Sequence, residues 1–489
     1  MSDKIFDIGI VGYGPVGATL SGLLSSLGLS VVVIEKTKGV SPTARAINTD
    51  SEQLRTFNFL NITSQIISNS RKVSKVHFTD SKFNPYSTID IPKEDILGWP
   101  PTLLFYQPEL ETIIRDHNEN YKNLVILENT ELVDIENTNP IKLNIRNNGK
   151  YSSIYCKYLV GCDGANSFVR KYIKAKLIDF DFDQDWIVID AHTTGQIDIS
   201  KDEVKQICDP NRLKTYVPGR RNHERFEFKL LKGETKKDFT KKKVWELLSP
   251  WINKNNSKIE RAVVYKFHAC IADRWRDKNI FIAGDAAHQM PPFLGAGMGT
   301  GIRDAFNLAW KIYLVIKNKA EENLLETYQQ ERAPHANWTI QQAKIIGEMM
   351  EQFSYIEKGE KYVPSNGGYG EVFPHLTRGY YGDPSDGLIA TPFCRFDLDR
   401  SKKDSDEYFG WNFGLISKKK LSKDIDTMLK RMNIKVLTVK NKNINLKNYF
   451  ENANYLLIRP DKYLFSRSKT NFELKEALSE LEKQFSLIT

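Results

Sequence analysis

Residues 284–301 read Gly284-Asp285-Ala286-Ala287-His288-Gln289-Met290-Pro291-Pro292-Phe293-Leu294-Gly295-Ala296-Gly297-Met298-Gly299-Thr300-Gly301. One short stretch thus holds a carboxylate, an imidazole, two adjacent prolines and closely spaced glycines. An apolar run at 279–283 precedes it, as a buried strand would. Ile302, Ala305, Phe306, Ala309 and Trp310 follow at helical spacing. A Gly-rich turn between strand and helix brings backbone N–H groups and a helix N-terminus against something electron-rich.

A second Gly-rich turn says more about that ligand. Residues 7–11 are short and apolar, Gly12-Tyr13-Gly14-Pro15-Val16-Gly17 follows at once, and an apolar helix runs to Leu27. Gly28 ends the helix, and residues 31–34 form a second strand that leads into Glu35 and Lys36. Gly12 makes the tight turn, Gly14 lets backbone approach a pyrophosphate, and Gly17 permits close helix–strand packing. Glu35 lies 35 − 17 = 18 residues past the last glycine. A carboxylate there accepts ribose hydroxyls and repels a 2′-phosphate. The alternative is an ordinary strand–turn–helix rich in glycine.

The elements that position these turns follow from periodicity. Strand-like runs are expected at 123–127, 131–135, 141–146 and 151–156, and Pro108 suits the first position of a helix beginning at Glu109. Residues 180–270 alternate rather than wind, most clearly at 186–190, 225–230 and 262–267, so a mainly β unit interrupts the first domain. Helical periodicity returns from Leu324 to Met350. The last hundred residues read as a small α/β unit ending in an amphipathic helix near 472–485.

The 489 residues allow two or three domains. The +9 net charge is scattered in small lysine clusters, which read as solvated faces rather than a nucleic-acid surface. Five cysteines without CxxC spacing argue against a disulfide framework, a zinc site or a dithiol centre, and suit a reducing cytoplasm. The apolar stretch from Ile8 to Ile34 is broken by glycine turns, so neither a signal peptide nor a membrane span is expected.

A third motif, Cys162-Asp163-Gly164-Ala165-Asn166-Ser167, ends another strand-like run. With three motifs in this order, the chain resembles the single-component, class A flavoprotein monooxygenases typified by p-hydroxybenzoate hydroxylase, and within them the hydroxyphenylpropionate hydroxylase branch. Residues 291–311, 225–234 and 456–461 carry the branch-level likeness. The resemblance is strong over residues 1–350 and thinner beyond.

It implies an α/β fold: a Rossmann-like FAD-binding domain from 1–75, 98–178 and 274–350, and an inserted mainly-β substrate domain from 76–97 and 179–273. A linker loop at 351–390 and a thioredoxin-like domain without CxxC at 391–489 would complete it. By resemblance, Gly12, Gly14, Pro15, Val16 and Gly17 cradle the FAD pyrophosphate, with Glu35 and Lys36 near the adenosine ribose. Arg45 would offset the pyrophosphate charge, or else form a surface salt bridge. Gln107 would touch the ribityl chain, or merely cap its helix. Asp163 and Gly164 would serve flavin and nicotinamide contacts, or hold their own turn. Gly284 would shape the turn in which Asp285 accepts a ribityl hydroxyl. Pro292 and Gly295 would flank the ring, and the N–H groups of Gly297 and Met298 would face its N1–C2=O edge.

Ala296 and Gly299 depart from the residues common in relatives beside the flavin. The implied reaction takes NAD(P)H and O2 and hydroxylates a phenolic substrate through a flavin C4a-hydroperoxide. Pro292 would wall the ring, His288 would order its loop or take a proton, and Arg225 would steady the reduced flavin or an anionic substrate unless it is a solvent-facing ion pair. The alternatives are a flavin monooxygenase acting on a larger natural product or antibiotic, and a non-catalytic FAD- or NAD-binding module. A monomer or homodimer without nucleic-acid or membrane partners is expected.

Overall fold

The apolar runs on either side of the first glycine turn become neighbouring parallel strands, Ile5–Val11 and Val31–Ile34. They lie inside an eight-stranded sheet in which Leu124–Leu127, Lys150–Gly161 and Ile280–Ile282 extend the parallel pairing. The burial of Val31–Ile34 along its whole length is what a parallel strand covered on both faces requires. Helix Pro15–Ser26 packs between Gly297–Ile316 and Gln107–Asn118. The computed structural model describes residues 4–195, 197, 199–357, 375–398, 403–439 and 446–487.

A second, seven-stranded sheet is assembled from two stretches of chain. Lys75–Thr79 and Pro85–Asp90 join five strands between residues 184 and 267, with Glu203–Ile207 parallel to Lys75–Thr79 and every other pair antiparallel. On one face Phe226 and Phe228 close on Trp251, with ring centroids 5.5 and 5.7 Å apart. The other face turns toward the first sheet, where Trp186 meets Phe293 at 5.4 Å. Strands Glu203–Ile207 and Lys214–Pro218 escape sequence reading because charged and apolar residues mix within five positions.

The C-terminal unit is a four-stranded mixed sheet in the order Lys435–Thr438, Gly414–Ser417, Tyr455–Ile458, Leu464–Ser468. The first pair is parallel and the other two antiparallel. Helices Lys423–Arg431 and Asn471–Gln484 cover it. Cys394 is buried, and that burial pushes its thiol up to about 12.

Two expected boundaries shift. The helix expected from Glu109 begins at Gln107, with Pro108 inside its first turn. The expected linker at 351–390 is not loop throughout: helix Glu326–Glu357 continues into it because Phe353 is buried against the core. Leu376, Ile389 and Ala390, at its far end, pack into the C-terminal core. Residues 358–374 lie outside the described residues.

Candidate functional site

The three glycines of the first turn are needed for different reasons. A Cβ on Gly12 (φ +95°) would lie 2.4 Å from the Cys162 carbonyl oxygen, and one on Gly17 would lie 2.1 Å from the Gly12 carbonyl oxygen. A Cβ on Gly14 would meet nothing within 4 Å. The first two serve packing and the third faces open space. Gly14 is also the N-cap of helix Pro15–Ser26, with no side chain capping it, so the N–H groups of the first turn are left for another acceptor. Helix Gly297–Ile316 likewise starts without a side-chain cap, at Ala296. Val16 joins the two motifs: a Cβ on Gly284 would come within 3.0 Å of it, and one on Gly301 within 2.6 Å. Two uncapped helix ends near one open space suit an anionic ligand.

Glu35 stands at the rim of that space. It accepts hydrogen bonds from the Tyr13 N–H (2.7 Å), the Thr37 N–H (2.8 Å) and the Thr37 hydroxyl (2.7 Å). These bonds fix its carboxylate beside the turn. Lys36 is exposed. Arg115, which sequence reading missed, donates to the Tyr13 carbonyl at 2.6 Å and stacks on the Tyr13 ring.

The loop at 44–46 is held from two sides. The Gln107 amide oxygen accepts the N–H groups of Arg45 and Ala46, both at 2.7 Å, and its amide nitrogen donates to Glu111 at 2.7 Å. Arg225 donates to the carbonyls of Arg45 (2.7 Å) and Ala44 (2.8 Å), and twice to Asp190 (2.8 and 3.2 Å). Arg225 is 3% exposed, so the solvent-facing ion pair is overturned: the pair exists, but buried. Arg261 binds the same carboxylate and the same Ala44 carbonyl. Burial alone would raise the Asp190 carboxyl, but Arg225 and His223 outweigh it and hold it far below the usual carboxylate range. The Arg45 side chain is exposed.

The Gly284 turn contains two carboxylates with opposite surroundings. Asp285 stays open to solvent while Gly284, Ala286, Ala287 and His288 around it are buried. The protein around it nevertheless raises its carboxyl above the ordinary value, against His288 and Arg45. A carboxylate that is both deeply set and accessible lines a cleft. Asp304 is fully buried and accepts from His288 Nε2 (2.7 Å), Arg332 Nε (2.9 Å) and the Gly284 N–H (3.1 Å). Burial would raise its carboxyl, but His288 and Arg332 lower it. His288 is therefore engaged behind the turn, its ring tilted against Trp275 at 5.4 Å. Arg332 and Asp190 carry no local motif that would have exposed these roles, and Asp304 lies in the 291–311 stretch, where spacing alone does not show its role.

Pro292 begins a short helical turn, Pro292–Leu294, that Gly295 closes at φ +62°. Phe293 points away toward Trp186 and Phe182. Gly299 has a local reason: a Cβ there would fall 2.0 Å from the Gln53 side-chain nitrogen. Nothing comparable explains Ala296. Met298 is half-buried beside Gly297. Asp163 accepts from the Ser167 hydroxyl (2.5 Å) and the N–H groups of Phe168 (2.6 Å) and Val169 (3.1 Å), so it caps its own turn; Gly164 enters that turn at φ +78°. A cavity of about 630 Å³ by Asp383, Asp386 and Arg467 lies in the C-terminal unit, away from every motif, and its arginine already pairs with Asp386 at 2.6 Å.

Comparison with known proteins agrees with this geometry. The chain belongs to the family described as FAD binding domain, whose profile matches residues 6–343, and its cofactor is FAD. It is 32% identical over 348 residues to a probable NADH-specific resorcinol 4-hydroxylase of Rhodococcus jostii (strain RHA1), a match covering 70% of this chain and 65% of that protein. It is 33% identical over 349 residues to a 3-(3-hydroxy-phenyl)propionate/3-hydroxycinnamic acid hydroxylase of Shigella sonnei (strain Ss046), covering 70% and 62%. The matched stretch thus spans under two thirds of those relatives. Among solved structures, aklavinone-11 hydroxylase in complex with FAD and aklavinone shares the fold, with TM-score 0.83, 18% identity, and 99% and 100% coverage. The flavin-dependent monooxygenase PieE does too, with TM-score 0.80, 15% identity and the same coverage.

The residues present fit FAD. Open room at Gly14, two helix ends without protein caps and an accessible carboxylate at Asp285 are what a pyrophosphate and a ribityl chain require. No group of three metal-ligating side chains occurs among the described residues, and no described helix is long and apolar enough to cross a membrane.

Proposed function

We propose that the protein is an FAD-dependent monooxygenase that uses NAD(P)H and O2 to place a hydroxyl group on a phenolic ring. The observation that carries this reading is Asp285, an accessible carboxylate in an otherwise buried turn of a chain whose two nucleotide-motif helices begin without side-chain caps. When bound, FAD supplies electron transfer from the nicotinamide and activation of oxygen.

The chain does the rest. Gly12, Gly14 and Gly17 with their helix end hold the pyrophosphate, Glu35 holds the adenosine ribose, and Arg45 swings over the phosphates. Asp285 accepts a ribityl hydroxyl. The N–H groups of Gly297 and Met298 stabilise negative charge at the ring edge. Pro292 walls the ring, and Arg225 fixes the loop at 44–46 through its carbonyl bonds rather than by touching substrate. His288 orders the Gly284 turn. The sheet formed from 76–97 and 179–273 roofs the cleft and keeps water from the reacting ring. We read the protein as cytoplasmic, a monomer or homodimer; its five cysteines form no disulfide, which suits a reducing compartment.

The test is aerobic NAD(P)H oxidation by FAD-loaded protein with a panel of phenols, product being quantified by mass spectrometry. Phenol-stimulated turnover with matching hydroxylated product is expected; FAD binding without any turnover would make the protein a binding module.

A further inference from the structure

We propose that Glu227 is the catalytic residue that receives the phenolic hydroxyl of the substrate and takes its proton; this deepens, and rests on, the hydroxylase reading above. Glu227 sits on the inward face of strand His223–Lys229, in register with Val188 on one side and Thr215 on the other. Val263 extends that row beyond Val188, and Gln206 extends it beyond Thr215. The outward face is closed by Phe226 and Phe228 against Trp251.

Two struts flank Glu227 on its own strand. Two residues before it, Arg225 binds the carbonyls of Ala44 and Arg45. Two residues after it, Lys229 pairs with Glu351 of the long helix. At the usual rise of a strand the struts stand about 13 Å apart, with Glu227 midway and over the gap. The strand therefore bridges the first domain at two points, and Glu227 faces what lies between.

Glu227 is 7% exposed, yet it has no hydrogen bond or ion pair with any described residue. Every charged neighbour is already committed. Arg225 and Arg261 share Asp190, and Lys229 has Glu351. Thr215 gives its hydroxyl to Gln206 at 2.6 Å. The side chain is buried between Val188 and half-buried Val263, yet its oxygens still reach accessible surface, so a carboxylate with no donor among the described residues opens toward the cleft, where a ligand can supply one. A phenol fits: an apolar ring for Val188 and Val263, and one strong O–H donor for the carboxylate.

The charges facing Glu227 also set its acidity. Arg225 lies on its own strand, Asp190 on the adjacent one, and Arg261 with Tyr265 on the next; Thr215 and Gln206 on the other side are uncharged. Burial pushes the Glu227 carboxyl up to about 7, with Arg225 opposing and Asp190 reinforcing the rise. An acceptor of that strength is matched to neutral pH. In the step, the phenol O–H bond breaks, its electron pair stays on the ring oxygen as phenolate, and the proton passes to a Glu227 oxygen. The ring becomes more nucleophilic, and the proton leaves to solvent after product release.

The test uses FAD-loaded parent, Glu227→Gln and Glu227→Asp, with resorcinol as probe. Glu227→Gln should keep its flavin spectrum and circular dichroism, and lose about 100-fold or more in kcat/KM for hydroxylation at pH 7. The acidic limb near pH 7 seen in the parent should vanish, and Glu227→Asp should retain part of the rate. A readout independent of turnover is the ultraviolet difference spectrum of bound resorcinol: a phenolate band at pH 8 in the parent, absent in Glu227→Gln. Unchanged hydroxylation with an unchanged pH limb would overturn the role of Glu227 alone. So would a parent that binds the probe without a phenolate band, whichever variants fold. A parent that no phenol stimulates would overturn the hydroxylase reading beneath it.

Discussion

Two sets of charged residues in this molecule are built on opposite terms. At the seam with the C-terminal unit, Lys311, Glu331, Arg459 and Asp461 are all buried and all partnered. Arg459 donates to Glu331 (2.7 Å), to both Asp461 oxygens (2.9 and 2.7 Å) and to the Gly379 carbonyl (2.9 Å), while Lys311 pairs with Glu331 at 2.9 Å. Burial would raise the Glu331 carboxyl, but Arg459 and Lys311 hold it down at about 2. By contrast, Glu227 and Asp285 have no donor among the described residues and both carboxyls are raised. Partnership separates them: a cluster of paired opposite charges docks two parts of one chain, while a carboxylate with no donor among the described residues is held ready for a ligand at a cost in stability.

The sharpest break in that comparison is at the seam. Arg459→Ala removes the cation shared by two buried carboxylates, leaving Asp461 with neutral donors only, so it should cost about 3–5 kcal/mol of unfolding free energy. Urea unfolding followed by circular dichroism measures this; a loss under 1 kcal/mol would mean the seam is not what joins the units.

Glu227 should respond in the opposite sense. Its ordinary value of 4.5 rises to about 7 in the folded protein. Protonated Glu227 therefore contributes stability that is full below about pH 4.5 and is lost as pH rises through about 7. The difference corresponds to about 3 kcal/mol. Glu227→Gln should be up to that much more stable than the parent at pH 8, and no more stable at pH 4, while its hydroxylation falls. Paired unfolding curves at the two pH values give the answer.

Asp285→Asn should weaken FAD affinity by about 10- to 150-fold, or about 1.5–3 kcal/mol, because a charge-assisted bond to the ribityl chain is lost. Fluorescence titration of the apoprotein checks this, with unfolding curves of the apoprotein expected to coincide.

The smallest stability effect belongs to Gly14→Ala. Its Cβ would enter open room, so the apoprotein should change by less than about 1 kcal/mol. FAD affinity should nonetheless drop, because that room is where we propose that the pyrophosphate sits. Gly12→Ala is the control: the same methyl group meets the Cys162 carbonyl and should damage the fold itself.

Legibility followed locality. The glycine turns, their flanking strands and helices, and the apolar–polar alternation at 225–228 all lie within short windows, so spacing alone exposed them. The cage around Asp304 draws on His288 and Arg332, which lie 16 and 28 residues away. The Asp190 cluster joins three strands through Arg225 and Arg261, 35 and 71 residues away. No periodicity could report those pairings. For the same reason Arg225 and His288 stand out in the sequence as chemically able side chains, while their partners, and hence the work they do, are legible only in three dimensions.

The sequence by itself therefore determined the α/β class, the nucleotide turns and the family, because each depends on backbone geometry that a few neighbouring residues dictate. Only the tertiary structure decided which charges are satisfied. It committed Arg225, His288 and Asp163 to neighbouring backbone and carboxylates, and it gave Asp285 and Glu227 no hydrogen-bond partner among the described residues. Satisfaction is a property of three-dimensional neighbourhoods: a carboxylate's acidity and its freedom to bind depend on which donors the fold brings within hydrogen-bond reach.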